Sequence, residues 1–92
     1  MSDKIRKRYV FSGRVQGVGF RFTARNLANL YGLTGWVYND YDGSVVMEAQ
    51  GSEENLDLMI QKLDSDVFIQ IEKIDTTLIP VKDGEVFFTI EG

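Results

Sequence analysis

An α+β fold with two helices on one face of an antiparallel sheet is predicted by three features of this 92-residue sequence. Two segments repeat apolar residues at the helical period, five others are short, β-rich and bounded by turn residues, and their order is β-α-β-β-α-β with a short strand at the end. The length agrees. It suits one domain, residues 1–92, able to bury somewhat over ~60% of the surface its unfolded chain would expose.

Residues 5–13, IRKRYVFSG, put Lys7, Tyr9 and Phe11 on one face and Arg8, Val10 and Ser12 on the other, which reads as strand one. A glycine-rich turn follows, and then Phe20, Ala24, Leu27, Ala28 and Tyr31 recur at helical spacing, with Gly32 placed to end the helix. Gly35 to Asn39 form a short strand, Asp40-Tyr41-Asp42-Gly43 a hairpin turn, and Ser44 to Gln50 the returning strand. Ser52 is a natural N-cap, and Glu53 and Glu54 suit the positive end of a helix. Leu56, Met59, Ile60 and Leu63 are its apolar stripe, and it ends near Asp64 to Asp66.

Residues 67–81 are apolar on odd positions through Ile71, then on even positions from Ile74. A strand cannot change face without an extra residue, so a break or bulge is predicted around Glu72 and Lys73. Pro80 ends the run, Asp83-Gly84 makes a turn, and Val86 to Ile90 are the last strand. The whole is a ferredoxin-like two-layer sandwich, an architecture that hosts unrelated chemistries and does not by itself name one.

Composition narrows the chemistry. There is no Cys, which removes disulfides and thiolate nucleophiles, and no His, which removes the usual near-neutral base. A metal would have only oxygen ligands, and neither a metal nor a cofactor is expected. The N-terminal MSDKIRKR lacks an apolar core and no run approaches a membrane span, so a cytoplasmic protein without membrane attachment is expected.

The net charge of −4 conceals an asymmetry. Residues 1–25 carry seven basic side chains and one acidic, +6, whereas residues 26–92 carry three basic and thirteen acidic, −10. The basic part flanks the glycine-rich turn, where it would concentrate a small anion. The acidic remainder argues against nucleic acid as a partner.

That turn, Gly13-Arg14-Val15-Gln16-Gly17-Val18-Gly19-Phe20-Arg21, joins a strand to a helix. Its glycines let successive amides converge, and the helix N-terminus adds positive field, so it can cradle an anion. Arg21, in the first helical turn, could then fork two phosphate oxygens. The other reading is a structural loop with a solvated arginine. Asn39, where strand two enters the hairpin, could accept a hydrogen bond from a water and donate one to a substrate oxygen. Its other reading is a turn residue tolerating positive φ.

Together these segments resemble the acylphosphatase family. GRVQGVGFR, residues 13–21, is similar to that family's first motif, and Gly35-Trp36-Val37 with Asn39, Gly43, Val45 and Gly51 is similar to its second. With length and element order, the resemblance covers essentially the whole chain. It implies hydrolysis of an acyl phosphate to carboxylate and inorganic phosphate, with Arg21 binding phosphate and Asn39 orienting the water. The cradle would be Val15, Gln16, Gly17, Val18, Gly19 and Phe20. Tyr38 departs from the family, which more often has a basic or long flexible residue there. That departure bears on substrate preference and local charge.

The residues support this chemistry independently. An acyl phosphate has a good leaving group, so positioning and charge stabilisation are what remain for the protein to supply. The partner expected is therefore a small-molecule acyl phosphate, and a monomer is expected. Two alternatives differ in class. One is a domain of the same fold that binds an anion or a protein without turnover. The other is an RNA-binding module, because Gly17-Val18-Gly19-Phe20-Arg21-Phe22 has a glycine–aromatic pattern, although it lies between strand one and a helix rather than on a central strand. The dinucleotide-binding and Walker A patterns both fail in this segment.

Overall fold

The computed structural model describes residues 3–92. Its elements are β1 (Ile5–Arg14), α1 (Phe20–Leu30), β2 (Thr34–Asn39), β3 (Val45–Gly51), α2 (Glu53–Asp64), β4 (Gln70–Ile79) and β5 (Phe88–Ile90). The sheet order is β4-β1-β3-β2-β5. Four strands pair antiparallel as expected. The prediction of an antiparallel sheet fails at β5, which runs parallel to β2, with Gly35 opposite Phe88 and Val37 opposite Ile90. The reason is connectivity: β4 ends at one edge, and the chain crosses the sheet to add β5 at the other.

Alternation along each strand sorts the two faces. Tyr9, Phe11, Val37, Val45, Met47 and Ala49 pack in one cluster with Phe20, Ala24 and Ala28 of α1 and Leu56, Met59 and Leu63 of α2. Both helices therefore cover one face. At the end of α1, the Leu33 N–H donates to the Ala28 carbonyl at 2.8 Å, and Gly32 takes φ +67°, completing the glycine stop that the sequence predicts. The start of α2 is capped by Ser52, whose hydroxyl accepts from the Asn55 N–H at 3.2 Å.

The face change near residue 72 is a bulge. Ser12 lies opposite Lys73 and Gly13 opposite Ile71, which leaves Glu72 unmatched. β4 is shorter than the predicted 67–81, because Val67 and Phe68 lie exposed in the turn before it. Gly35 is a close approach of backbones: at φ +146°, a Cβ there would run into the Glu48 carbonyl.

On the other face, the segment between β4 and β5 crosses the central strands and buries a polar cluster. Arg6, 2% exposed, donates from Nε to Glu48 at 3.0 Å and from Nη1 to Glu85 at 2.8 Å and Gln50 at 3.1 Å. Gln50 in turn exchanges two hydrogen bonds of 2.9 Å with the Lys82 backbone. Arg6 belongs to the basic part that the sequence sets beside the glycine-rich turn, but the segment between β4 and β5 buries it. Burial works to raise the Glu85 pKa, but hydrogen bonds from Arg6 and Thr34 and the charges of Arg6 and Lys82 outweigh it and hold the carboxyl below its ordinary value.

A depressed folded-state pKa stabilises the fold fully above the unfolded-state value of 4.5, and that contribution is lost as pH falls through the lower folded value. In urea unfolding between pH 7 and pH 3, the wild type should lose stability below pH 4.5 more steeply than Glu85→Gln. Equal acid slopes would remove Glu85 from the account.

Candidate active site

The loop between β1 and α1 presents an uncapped helix start. Gly19 is the N-cap at φ +81°, and no side chain caps the helix or places acid in its first turn. The first helical hydrogen bond runs from the Thr23 N–H to the Gly19 carbonyl at 3.0 Å, so the N–H groups of Phe20, Arg21 and Phe22 have no intrahelical acceptor. The contrast with α2 is informative, since there Ser52 caps and Glu53 and Glu54 offset the positive end. Gly17 (φ +73°) and Gly19 turn the loop through the left-handed region, and beyond the adjoining residues no heavy atom lies within 4 Å of where either Cβ would stand. Glycine serves backbone conformation here, and the space above it stays open.

A pocket of about 100 Å3 forms where the loop meets the end of β2. Val15 and Phe20, both buried, make its floor, Gly17 and Gly19 leave its side open to backbone, and Arg21, Phe22 and Asn39 complete it. Two residues of the expected cradle, Gln16 and Val18, do not line it. Arg21 has neither ion pair nor side-chain hydrogen bond among the described residues. The Asn39 Oδ1 is buried and likewise without a hydrogen-bond partner among them. A buried amide oxygen left unpaired is costly, which marks it as awaiting a donor from a ligand or water.

The side chain of Gln16 has a part that the sequence did not suggest. Its Nε2 donates to the Asp40 carbonyl at 2.7 Å and to the Ser44 carbonyl at 2.8 Å, tying the loop to both ends of the β2–β3 turn. The turn is itself braced: Asp42 Oδ1 accepts from the Ser44 N–H at 2.9 Å and hydroxyl at 2.6 Å, and these bonds hold the Asp42 carboxyl below its ordinary pKa. The amide of Gln16 thereby fixes Asn39, next to Asp40, relative to the helix start.

Tyr38 does not reach the pocket. Strand alternation turns it to the opposite face, where its ring lies 5.6 Å from that of Trp36. A larger, open depression of about 400 Å3 lies beside that pair, but no set of polar groups converges on it. The basic N-terminal segment is also mostly remote. Besides Arg6, Arg8 pairs with Glu48 at 3.2 Å and Lys7 with Glu53 at 3.5 Å, and Arg6 stands eight residues, roughly 26 Å of extended strand, from Arg14. The local positive field therefore rests on Arg21, the helix start and nearby Arg14 and Arg25, rather than on the whole +6. Phe22, to which the sequence assigned no role, is the residue it missed. Its signal was the helical position directly after Arg21.

The family model for acylphosphatase matches residues 7–90. The chain belongs to the acylphosphatase family. Among relatives of this acylphosphatase-family chain, the acylphosphatase of Clostridium acetobutylicum is 44% identical over 79 residues, 85% of this chain and 87% of that protein. The crystal structure of acylphosphatase from Bacillus subtilis superposes with a TM-score of 0.88 at 32% identity, covering 96% of this chain and 99% of that one. Full-length HypF in its phosphate- and nucleotide-bound form matches at TM-score 0.91 and 29% identity, over 100% of this chain and 12% of the larger protein. The activity is that of the family, hydrolysis of acyl phosphates. The segment Gly17 to Phe22 lies in the loop and first helical turn, not on the central strand that an RNA-recognition motif would require.

Removing the Gln16 amide leaves two turn carbonyls without that donor. Gln16→Ala should lower unfolding stability by about 1–3 kcal/mol in urea titration. Gln16→Glu should be at least as damaging, because a carboxylate would face two carbonyl oxygens. A neutral Gln16→Glu would show that the tether carries no load.

Proposed function

We propose that the phosphoryl group of an acyl phosphate binds in the loop of residues 15–21, held by its N–H groups and the Arg21 guanidinium, while Asn39 orients the attacking water. The observation that carries this reading is that Asn39, whose buried Oδ1 has no hydrogen-bond partner among the described residues, lines the same small pocket as an unpaired Arg21 and an uncapped helix start. An anion is what three free N–H groups and a guanidinium can satisfy together. A water donating to Asn39 Oδ1 has one lone pair directed and one proton engaged, which favours its attack on phosphorus.

In the proposed reaction the water oxygen bonds to phosphorus as the bond from phosphorus to the acyl oxygen breaks, and the acyl group leaves as a carboxylate. Charge spreads over the phosphoryl oxygens and the leaving oxygen, where Arg21 and the loop amides are fixed in advance. With no His or Cys in the sequence, the proton of the water passes to a phosphoryl oxygen. Among the described residues no three carboxylates gather closely enough to hold a metal ion.

The two residues should separate in kinetics. Arg21→Ala should raise the inhibition constant of inorganic phosphate by roughly tenfold or more, as expected for losing charged hydrogen bonds, and lower turnover as well. Asn39→Ala should lower kcat on the order of a hundredfold while leaving phosphate inhibition nearly unchanged. Wild-type turnover in Asn39→Ala would end the water-orienting role.

A further inference from the structure

The pocket that would take the phosphoryl group is too small to take the rest of a substrate. About 100 Å3 is well below the roughly 300–1,000 Å3 that encloses a larger organic ligand, so an acyl group must project from the mouth. What it meets there is narrowly defined. Of the apolar residues lining the pocket, Val15 and Phe20 are buried at 0% and 2% exposure, whereas Phe22 is 58% exposed. Gly17 and Gly19 offer no side chain, and Arg21 and Asn39 are polar. The Phe22 ring is also oriented: the Arg25 guanidinium, one turn along α1, sits 5.2 Å from its centroid. Arg25 has no carboxylate partner among the described residues, so its charge is directed at the ring.

We infer that Phe22, steadied by Arg25, is the wall of an acyl subsite at the mouth of the pocket, which favours acyl phosphates with a flat aromatic acyl group over acetyl-sized ones. This deepens the function proposed above and rests on it. A phosphoryl group in the loop fixes where the carboxyl carbon emerges, beside the residue that follows Arg21. An aromatic acyl group can lie against the ring and shield apolar surface on both partners, whereas an acetyl group is too short to cover it. The sequence around the loop defines the handle common to all acyl phosphates. Phe22 supplies discrimination among them.

The experiment is the ratio of kcat/KM for benzoyl phosphate to that for acetyl phosphate, measured in the wild type, Phe22→Ala, Phe22→Tyr and Arg21→Ala. A ratio is insensitive to any loss of folded enzyme. Phe22→Ala should lower it roughly 2- to 10-fold, the range of one aromatic contact, and Phe22→Tyr should retain it. A ratio unchanged in Phe22→Ala, or lost equally in Phe22→Tyr, overturns the subsite. Arg21→Ala separates the two ideas, because unimpaired hydrolysis of both substrates in that variant would overturn the proposed phosphate site, whatever the Phe22 ratio shows.

Discussion

The side-chain amide of Gln16 is where two distant parts of the chain become one site. Arg21 belongs to the loop and helix that follow β1, and Asn39 belongs to the strand that enters the next hairpin. No other side-chain hydrogen bond among the described residues joins that loop to the hairpin, and Gln16 reaches both ends of the turn, at Asp40 and Ser44. Two short hydrogen bonds from one NH₂ group restrain both distance and rotation between loop and turn. The Asp42–Ser44 contacts keep the turn from yielding. On the function proposed here, Arg21 and Asn39 held in this way need no rearrangement to meet the substrate, which is how a site without a strong acid or base can still be effective.

The sheet separates tasks by face and by end. On the helix side, Asn39 follows Val37 toward the core and the pocket, while Trp36 and Tyr38 point away. At the opposite end of β1 from the loop, Arg6, Glu48, Gln50 and Glu85 lock the segment that connects β4 to β5. Those charges are consumed in holding the fold together. What remains positive at the pocket is local: Arg21 and the uncapped N–H groups of α1, with Arg14 and Arg25 nearby. Such a field is short in range, suits a small tetrahedral anion, and gives no extended basic track.

Much of this was legible in the sequence, for identifiable reasons. Helices declare themselves through the stripes Phe20–Ala24–Ala28 and Leu56–Met59–Leu63, and Ser52 and Gly32 mark a start and a stop that local hydrogen bonding enforces. The bulge at Glu72 was legible because the apolar parity of a strand must change where one residue is inserted. The parallel pairing of β5 was not, since three residues carry no pairing information and the choice of edge is made by the whole sheet. Burial of Arg6 escaped for a related reason: alternation reports which face a residue takes, not what later crosses it. In the pocket, Arg21 and Asn39 could be singled out by residue type and by motif. The tether made by the Gln16 side chain was not legible, because its direction depends on a hairpin 24 residues away. Phe22 was passed over because it stands off the apolar stripe of α1 and outside the motif of residues 13–21.

The proposed site holds a small oxyanion at the start of α1 with Asn39 beside it. It is tested most directly by titrating the ¹⁵N-labelled protein with inorganic phosphate and following its amide resonances. Saturable shifts are expected in the backbone N–H groups of Gly17 to Phe22 and in the side-chain NH₂ of Asn39, with the Arg6 end of the sheet unmoved. Saturable shifts located elsewhere, or none in the loop at phosphate concentrations that inhibit hydrolysis, would contradict it.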